Sequence, residues 1–217
     1  MQEIIEEIET QINKPILLVI SGPTCSGKDT VMRELLKRNK NMQRLVTTNS
    51  RVKRPEEIEG VDYHFVLRQE FERLIGEDAF YEWVEYRGEY RGGQKKHVLK
   101  ALNSGKDVIW RIDVRGVKNI YNKVKKEIPN SAFIFLAESL PILEKRIIKR
   151  HTEDKKWQEW SIHMAVWELK QYKDFDYVVI NKENHLPQTI EQVEKILSAE
   201  RMRIKKGIPD SIPLSDN

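Results

Sequence analysis

Pro15-Ile16-Leu17-Leu18-Val19-Ile20-Ser21, running directly into Gly22-Pro23-Thr24-Cys25-Ser26-Gly27-Lys28-Asp29-Thr30, decides the fold of this 217-residue chain. The first half is aliphatic without polar interruption, as a strand buried on both faces of a parallel sheet requires. The second half matches the first seven positions of G-x-x-x-x-G-K-[ST], and a helical pattern follows over Thr30 to Asn39. A strand, a glycine loop and a helix in that order turn successive backbone N–H groups inward at the positive end of the helix. Residues 22–30 therefore form a candidate triphosphate cradle, with Lys28 as the cation that reaches the outer phosphates. The bland alternative is a chance glycine-rich turn, and the flanking strand and helix weigh against it. Asp29 departs from the motif, standing where Ser or Thr offers a hydroxyl to Mg²⁺. Because a carboxylate itself ligates a hard cation and Thr30 follows at once, Asp29 and Thr30 are the candidate Mg²⁺ residues. Cys25 reads as a small loop residue with no redox role.

Outward from this stretch, apolar runs recur at Asp107 to Ile112, Ala132 to Leu136 and Tyr177 to Ile180. Helical patterns separate or follow them at Val117 to Glu127, Leu140 to Arg150, Lys155 to Gln171 and Thr189 to Arg203. Alternation of this kind predicts an α/β fold, a P-loop doubly wound parallel sheet. Residues 46–97 break the pattern with short aromatic segments, Tyr63 to Val66 and Phe80 to Val84, and read as a small mixed β insertion. The core then comprises residues 15–45 and 98–204, with a helical lid at about 149–160 and a flexible tail over 205–217. Residues 1–14 are acidic, with Ile4, Ile5, Ile8 and Ile12 at helical spacing, which predicts an amphipathic helix docked on its own domain or, alternatively, on a partner.

Composition narrows the partners. Hydrophobic residues make up 39% and charged residues 33%, consistent with a solvated surface around a real core. The longest apolar run, Ile16 to Ile20, is far short of the ~20 residues a spanning helix needs, so no membrane association is expected. Lys and Arg total 38 against 34 Asp and Glu, a net +4 that favours anionic small molecules without demanding nucleic acid. One cysteine excludes an internal disulfide and a Cys-based zinc site, which points to the cytoplasm.

Residues 22–30, then Thr47-Thr48-Asn49-Ser50-Arg51-Val52-Lys53-Arg54 through Gly60-Val61-Asp62-Tyr63-His64-Phe65, closely resemble the guanylate kinase family. The resemblance continues in order through Phe80-Tyr81-Glu82-Trp83, Gly88 to Gly92, Gly105 to Ile109, Ile112 to Gly116 and Tyr177 to Asn181, covering about residues 15–200. It implies a core sheet, a GMP-binding insertion and a mobile lid, with ATP and GMP or dGMP as substrates. It also implies that Thr47, Arg51, Arg54 and Tyr63 grip the acceptor phosphate, that Glu82 reads guanine, and that Asp113 lies near acceptor and metal. Guanidinium forks suit phosphate and a carboxylate suits the N1–H and amino edge of guanine. Glu56, Glu57 and Glu59 leave a plain ion-pair reading open for Arg51 and Arg54. On the ATP side the resemblance implies catalytic lid roles for Arg146 and Arg150, beside Lys28, and an adenine contact for Asn181.

Several positions depart from that family. Arg91 aligns with a second phosphate-binding tyrosine unless a gap puts Tyr90 there, Gly93 with a guanine-contacting serine, and Ser161 with a third lid arginine. Arg111 replaces an acid at a strand end, and its pairing with Asp29 beside the phosphate loop is the expectation that links two departures. Three readings stay open: a GMP kinase, a kinase of the same fold acting on another nucleoside monophosphate or on ribose bisphosphate, and a binding module without turnover. The intact loop, Lys28 and the paired arginines speak against the last. Neither monomer nor homodimer is favoured.

Overall fold

Every residue of β1 (Leu17–Ser21) is buried because both faces of the strand are covered. The computed structural model describes residues 2–86, 88–150 and 155–204. Before β1 lies α1 (Gln2–Ile12); after it come α2 (Lys28–Arg38), β2 (Met42–Arg44), β3 (Thr48–Asn49), β4 (His64–Phe65) and α3 (Arg68–Gly76). Next are β5 (Phe80–Tyr86), β6 (Glu89–Gln94), α4 (Lys95–Leu102), β7 (Asp107–Arg111), α5 (Val114–Glu127) and β8 (Ser131–Ala137). The chain continues through α6 (Leu140–Arg150), α7 (Lys155–Leu169), β9 (Tyr177–Ile180) and α8 (Leu186–Met202).

Five strands form one sheet in the order β2-β7-β1-β8-β9, every neighbour parallel. Strand alternation divides its core in two. Leu18 and Ile20 meet Val31 and Leu35 of α2 and Ile190 and Val193 of α8, while Leu17 and Val19 meet Val98 of α4 and Val117, Ile120 and Val124 of α5. Helices on both faces make the sheet doubly wound, as the alternation predicts, and each fully buried aliphatic side chain contributes about 1.5–3 kcal/mol. One end of the sheet carries a polar tie: buried Asp107 accepts from Ile16 N at 2.9 Å and pairs with Arg201 of α8. The other end, where the strands point their C-termini, carries the loops described below. β9 is one edge of the sheet, so Val178 and Ile180 lie exposed.

The insertion is a four-stranded mixed sheet, β4-β3-β6-β5, parallel between β3 and β4 and antiparallel elsewhere. α3, which the sequence reading did not place, covers one face by packing Phe71 and Leu74 against Phe80 and Tyr90. The register pairs Glu82 with Gly93 and Val84 with Arg91, so these four share the opposite face.

α1 forms and touches α8 of its own domain only lightly: Ile4, Ile5, Ile8 and Ile12 are 39–60% exposed and no α1 side chain is fully buried. Residues 151–154 of the expected lid and the tail over 205–217 lie outside the described residues. Among the described residues no helix is long and apolar enough to cross a membrane.

Candidate active site

The loop between β1 and α2 has the backbone shape an anion cradle requires. Gly22 (φ 144°) and Gly27 (φ 95°) occupy conformations L side chains avoid, and a Cβ would strike Leu136 O at the first and the Asn181 amide at the second. Cys25 is also left-handed, with φ 63°. Ser26 N donates to Pro23 O at 3.1 Å, closing the turn. Lys28 opens α2, and its Nζ donates to Gly22 O and Pro23 O at 2.6 and 2.7 Å. Burial, with Arg111 adding to it, pushes the Lys28 ammonium down to about 8, opposed by Glu168 and Asp29. A cavity of about 480 Å³ lies against the loop, bordered by Thr24, Lys28, Asp29, Arg111, Arg146 and Arg150.

α6 delivers the lid arginines. Arg146 donates to Cys25 O and to Glu138 Oε2, both at 3.2 Å, and Arg150 lies exposed at the cavity edge. Ser161 is buried in α7, in the layer where Leu143 and Ile147 of α6 meet Ala165, so no cation stands at that position. Lys155 and Lys156 are exposed. Asn181 reaches the cavity wall from the end of β9, but its amide is engaged: Nδ2 donates to Ser26 O at 2.8 Å and Oδ1 accepts from Thr189 at 3.0 Å. Its first role in this chain is to hold the loop. The sequence reading missed Glu168 of α7, which accepts from Thr24 N at 2.9 Å and ties the helix after the lid to the phosphate loop. Burial, the largest influence, raises the Glu168 carboxyl. Nothing in its Trp-rich surroundings set it apart from an ordinary surface acid.

Across the wall formed by Asp29 and Arg111 lies a second cavity of about 170 Å³, which Thr47 and Tyr63 border. Asp29 and Arg111 pair as expected, with Nε to Oδ1 at 3.1 Å. Arg51 takes the ion-pair reading: both its terminal nitrogens bond Glu57, one of them at 2.6 Å, and the guanidinium lies 5.5 and 5.4 Å from the ring centres of Tyr63 and Phe65. That fork holds the Glu57 carboxyl down to about 2. Arg54 is exposed, and its backbone meets Glu57, N donating to the carboxylate at 2.9 Å and O accepting from Glu57 N at 3.1 Å. The structure therefore gathers Thr47, Arg51 and Tyr63 and leaves Arg54 at the rim.

Glu82 and Asp113 approach each other where the insertion meets α5. Asp113 caps α5, its Oδ1 accepting from Gly116 N at 2.8 Å. Burial, and then the Asp113 charge, push the Glu82 carboxyl up to about 8. Arg91 shares the Glu82 face, whereas Tyr90 stacks on Phe71 in the insertion's own core and its hydroxyl accepts from Arg68. Gly93 has a physical cause: a side chain there would run into the Trp110 ring.

The comparisons with known proteins agree with this geometry. A family model described as guanylate kinase matches residues 14–200. The chain is 38% identical to a guanylate kinase of Carboxydothermus hydrogenoformans, over 90% of this chain and 93% of that one. It is also 38% identical to a guanylate kinase of Clostridium tetani, over 94% and 95%. The crystal structure of guanylate kinase from Anaplasma phagocytophilum superposes with a TM-score of 0.62 at 27% identity, covering 87% of each chain. A family match over residues 14–200 and 38% identity across nine-tenths of the chain place it: this chain belongs to the guanylate kinase family.

Proposed function

We propose that this protein transfers the terminal phosphoryl group of ATP to GMP, or dGMP, giving ADP and the nucleoside diphosphate. The observation that carries the reading is the pair of cavities sharing one wall, one built on Lys28 and Arg146, the other on Thr47 and Tyr63. The triphosphate would take the loop amides, and Lys28 would exchange its two carbonyl contacts for phosphate oxygens. Arg146 and Arg150, one helical turn apart, would meet the charge that spreads over the transferred group. Arg51 would exchange Glu57 for the acceptor phosphate, with Thr47, Tyr63 and Arg91 completing its surroundings and Arg54 swinging in from the rim. Holding that phosphate in line is the main catalytic demand, because phosphoryl transfer asks for positioning and charge neutralisation more than for covalent chemistry.

Glu82 would read the guanine edge as a carboxylate, accepting from N1–H and the amino group, beside Asp113. The side chain that Gly93 lacks leaves this recognition to Glu82. Mg²⁺ bound with ATP would neutralise charge across the donor phosphates. The residues fit it: Asp29 offers the donor cavity a carboxylate that is 58% exposed, with Thr30 next to it, and Arg111 contacts one of its oxygens. A cytoplasmic setting suits the single thiol.

The test is ADP release from ATP with GMP, dGMP, AMP, UMP and ribose bisphosphate as acceptors. GMP and dGMP are expected to support turnover and Lys28→Ala to lower it about a hundredfold or more. Turnover confined to another acceptor moves the reading to that acceptor, and none with any of them overturns it.

A further inference from the structure

Arg111 is the cation common to both cavities. It ends β7, the strand beside β1, and borders the donor space with Lys28 and the acceptor space with Tyr63; Asp29 is the other residue the two spaces share. Among the described residues, the 3.1 Å ion pair with Asp29 is the one hydrogen bond or ion pair the Arg111 side chain makes. The two side chains are 44% and 58% exposed. An exposed pair of this kind contributes about 0–1 kcal/mol, too little for stability to account for a guanidinium on this wall. Its charge also works against its neighbour, since Arg111 is the cation that helps depress the Lys28 ammonium. Two positive groups held together over empty space repel until an anion lies between them. A guanidinium stays charged at any working pH, and its planar fork matches phosphoryl oxygens.

We propose that Arg111 is a catalytic residue, leaving Asp29 to bind the oxygens of the phosphoryl group as it passes from donor to acceptor cavity. The proposal rests on the kinase reading above. In the step, the bond between the γ-phosphorus and the bridging oxygen breaks with its electron pair left on ADP, and an acceptor phosphate oxygen forms the new bond to that phosphorus. Arg111 gives and takes no proton; it neutralises charge on the equatorial oxygens. Asp29, relieved of its partner, keeps its carboxylate toward the donor side.

The test compares the full-length wild type with Arg111→Met, which removes the charge, and Arg111→Gln, which keeps a donor for Asp29. Two quantities are measured: kcat with saturating MgATP and GMP, and the affinity for metal-free ATP by calorimetry in EDTA, which requires no acceptor. Arg111→Met is expected to lower kcat about a hundredfold and to weaken metal-free ATP about tenfold. A tenfold loss in either quantity supports the assignment; smaller losses in both overturn it. Arg111→Gln carries the same criterion should the Met variant fold poorly. A wild type that turns over no acceptor would remove the kinase reading by itself, and the ATP titration would still decide on Arg111.

Discussion

Glu82 and Lys28 set the pH behaviour of the site in opposite directions. Burial and Asp113 raise the Glu82 carboxyl to about 8, so below that pH the free protein holds it protonated, and a protonated acid cannot accept both guanine hydrogens. Burial lowers the Lys28 ammonium to about 8, so above that pH the free protein loses the charge that meets the triphosphate. Since kcat/KM reports groups in the free enzyme, kcat/KM for GMP is expected to rise about tenfold per pH unit below about 8 and then level. The same quantity for ATP is expected to fall above about 8. Initial rates at subsaturating GMP and at subsaturating ATP, from pH 6 to 9.5, check both slopes; a flat GMP profile between pH 6 and 8 would remove the raised carboxyl. Glu82→Gln, which cannot ionise, should flatten the rising limb and leave the ATP limb in place. At this scale much was legible in the sequence. Asp29 and Arg111 were paired from two complementary departures from the resembled family's pattern, while Glu57, offered by its charge as a partner for Arg51, turned out to hold the guanidinium with both oxygens. Glu168 was not legible, because its meaning lies in a contact 144 residues away with one loop amide.

Elements were readable where one physical force dominated them. Apolar runs marked β1, β7 and β8 because burial on both faces favours apolar side chains along the strand, with polar ones at its ends. β6 was invisible: Glu89-Tyr90-Arg91-Gly92-Gly93-Gln94 contains two glycines and no aliphatic residue, and it is a strand because β3 and β5 pair with it from both sides. α3 was hidden by its charges, with Phe71 and Leu74 as its two buried side chains. The attachment of α8 to the sheet rests on more than its apolar face. Asp107 is fully buried at the start of β7, where it accepts from Ile16 N and pairs with Arg201, joining β7, the entry to β1 and α8 through one carboxylate. Removing it leaves a backbone donor and a partly buried guanidinium unmatched. Asp107→Ala is therefore expected to cost about 3–5 kcal/mol and to lower Tm by about 10 °C. Thermal unfolding followed by circular dichroism measures this, and a shift under 3 °C would show that α8 is held by Ile190, Val193 and Leu197 without the ion pair.

At the scale of the whole molecule, four cations around the cleft are held by internal acceptors: Lys28 by loop carbonyls, Arg146 by Glu138 and Cys25 O, Arg51 by Glu57, Arg111 by Asp29. Such a site is neutralised in advance, which keeps a positive cleft compatible with a stable fold; on the proposed reading these contacts would be exchanged for phosphate oxygens. α1 stands apart from this economy. It precedes the residues matched by the family model, none of its side chains is fully buried, and its four isoleucines leave about half of their surface in contact with water. Hydrophobic stabilisation scales with the area removed from water, so a helix whose apolar residues are only half covered, and none fully, contributes little. Deleting residues 2–13 is expected to change Tm by less than about 2 °C, corresponding to under about 1 kcal/mol for a chain of this size, and to leave kcat and both KM values within twofold. Differential scanning calorimetry and initial rates on the shortened chain make the comparison. A fall in Tm of more than about 5 °C would mean that the isoleucine stripe is covered in solution, by the domain or by another copy of the chain. The protein-concentration dependence of that Tm would then separate the two, since only association between chains makes melting depend on concentration.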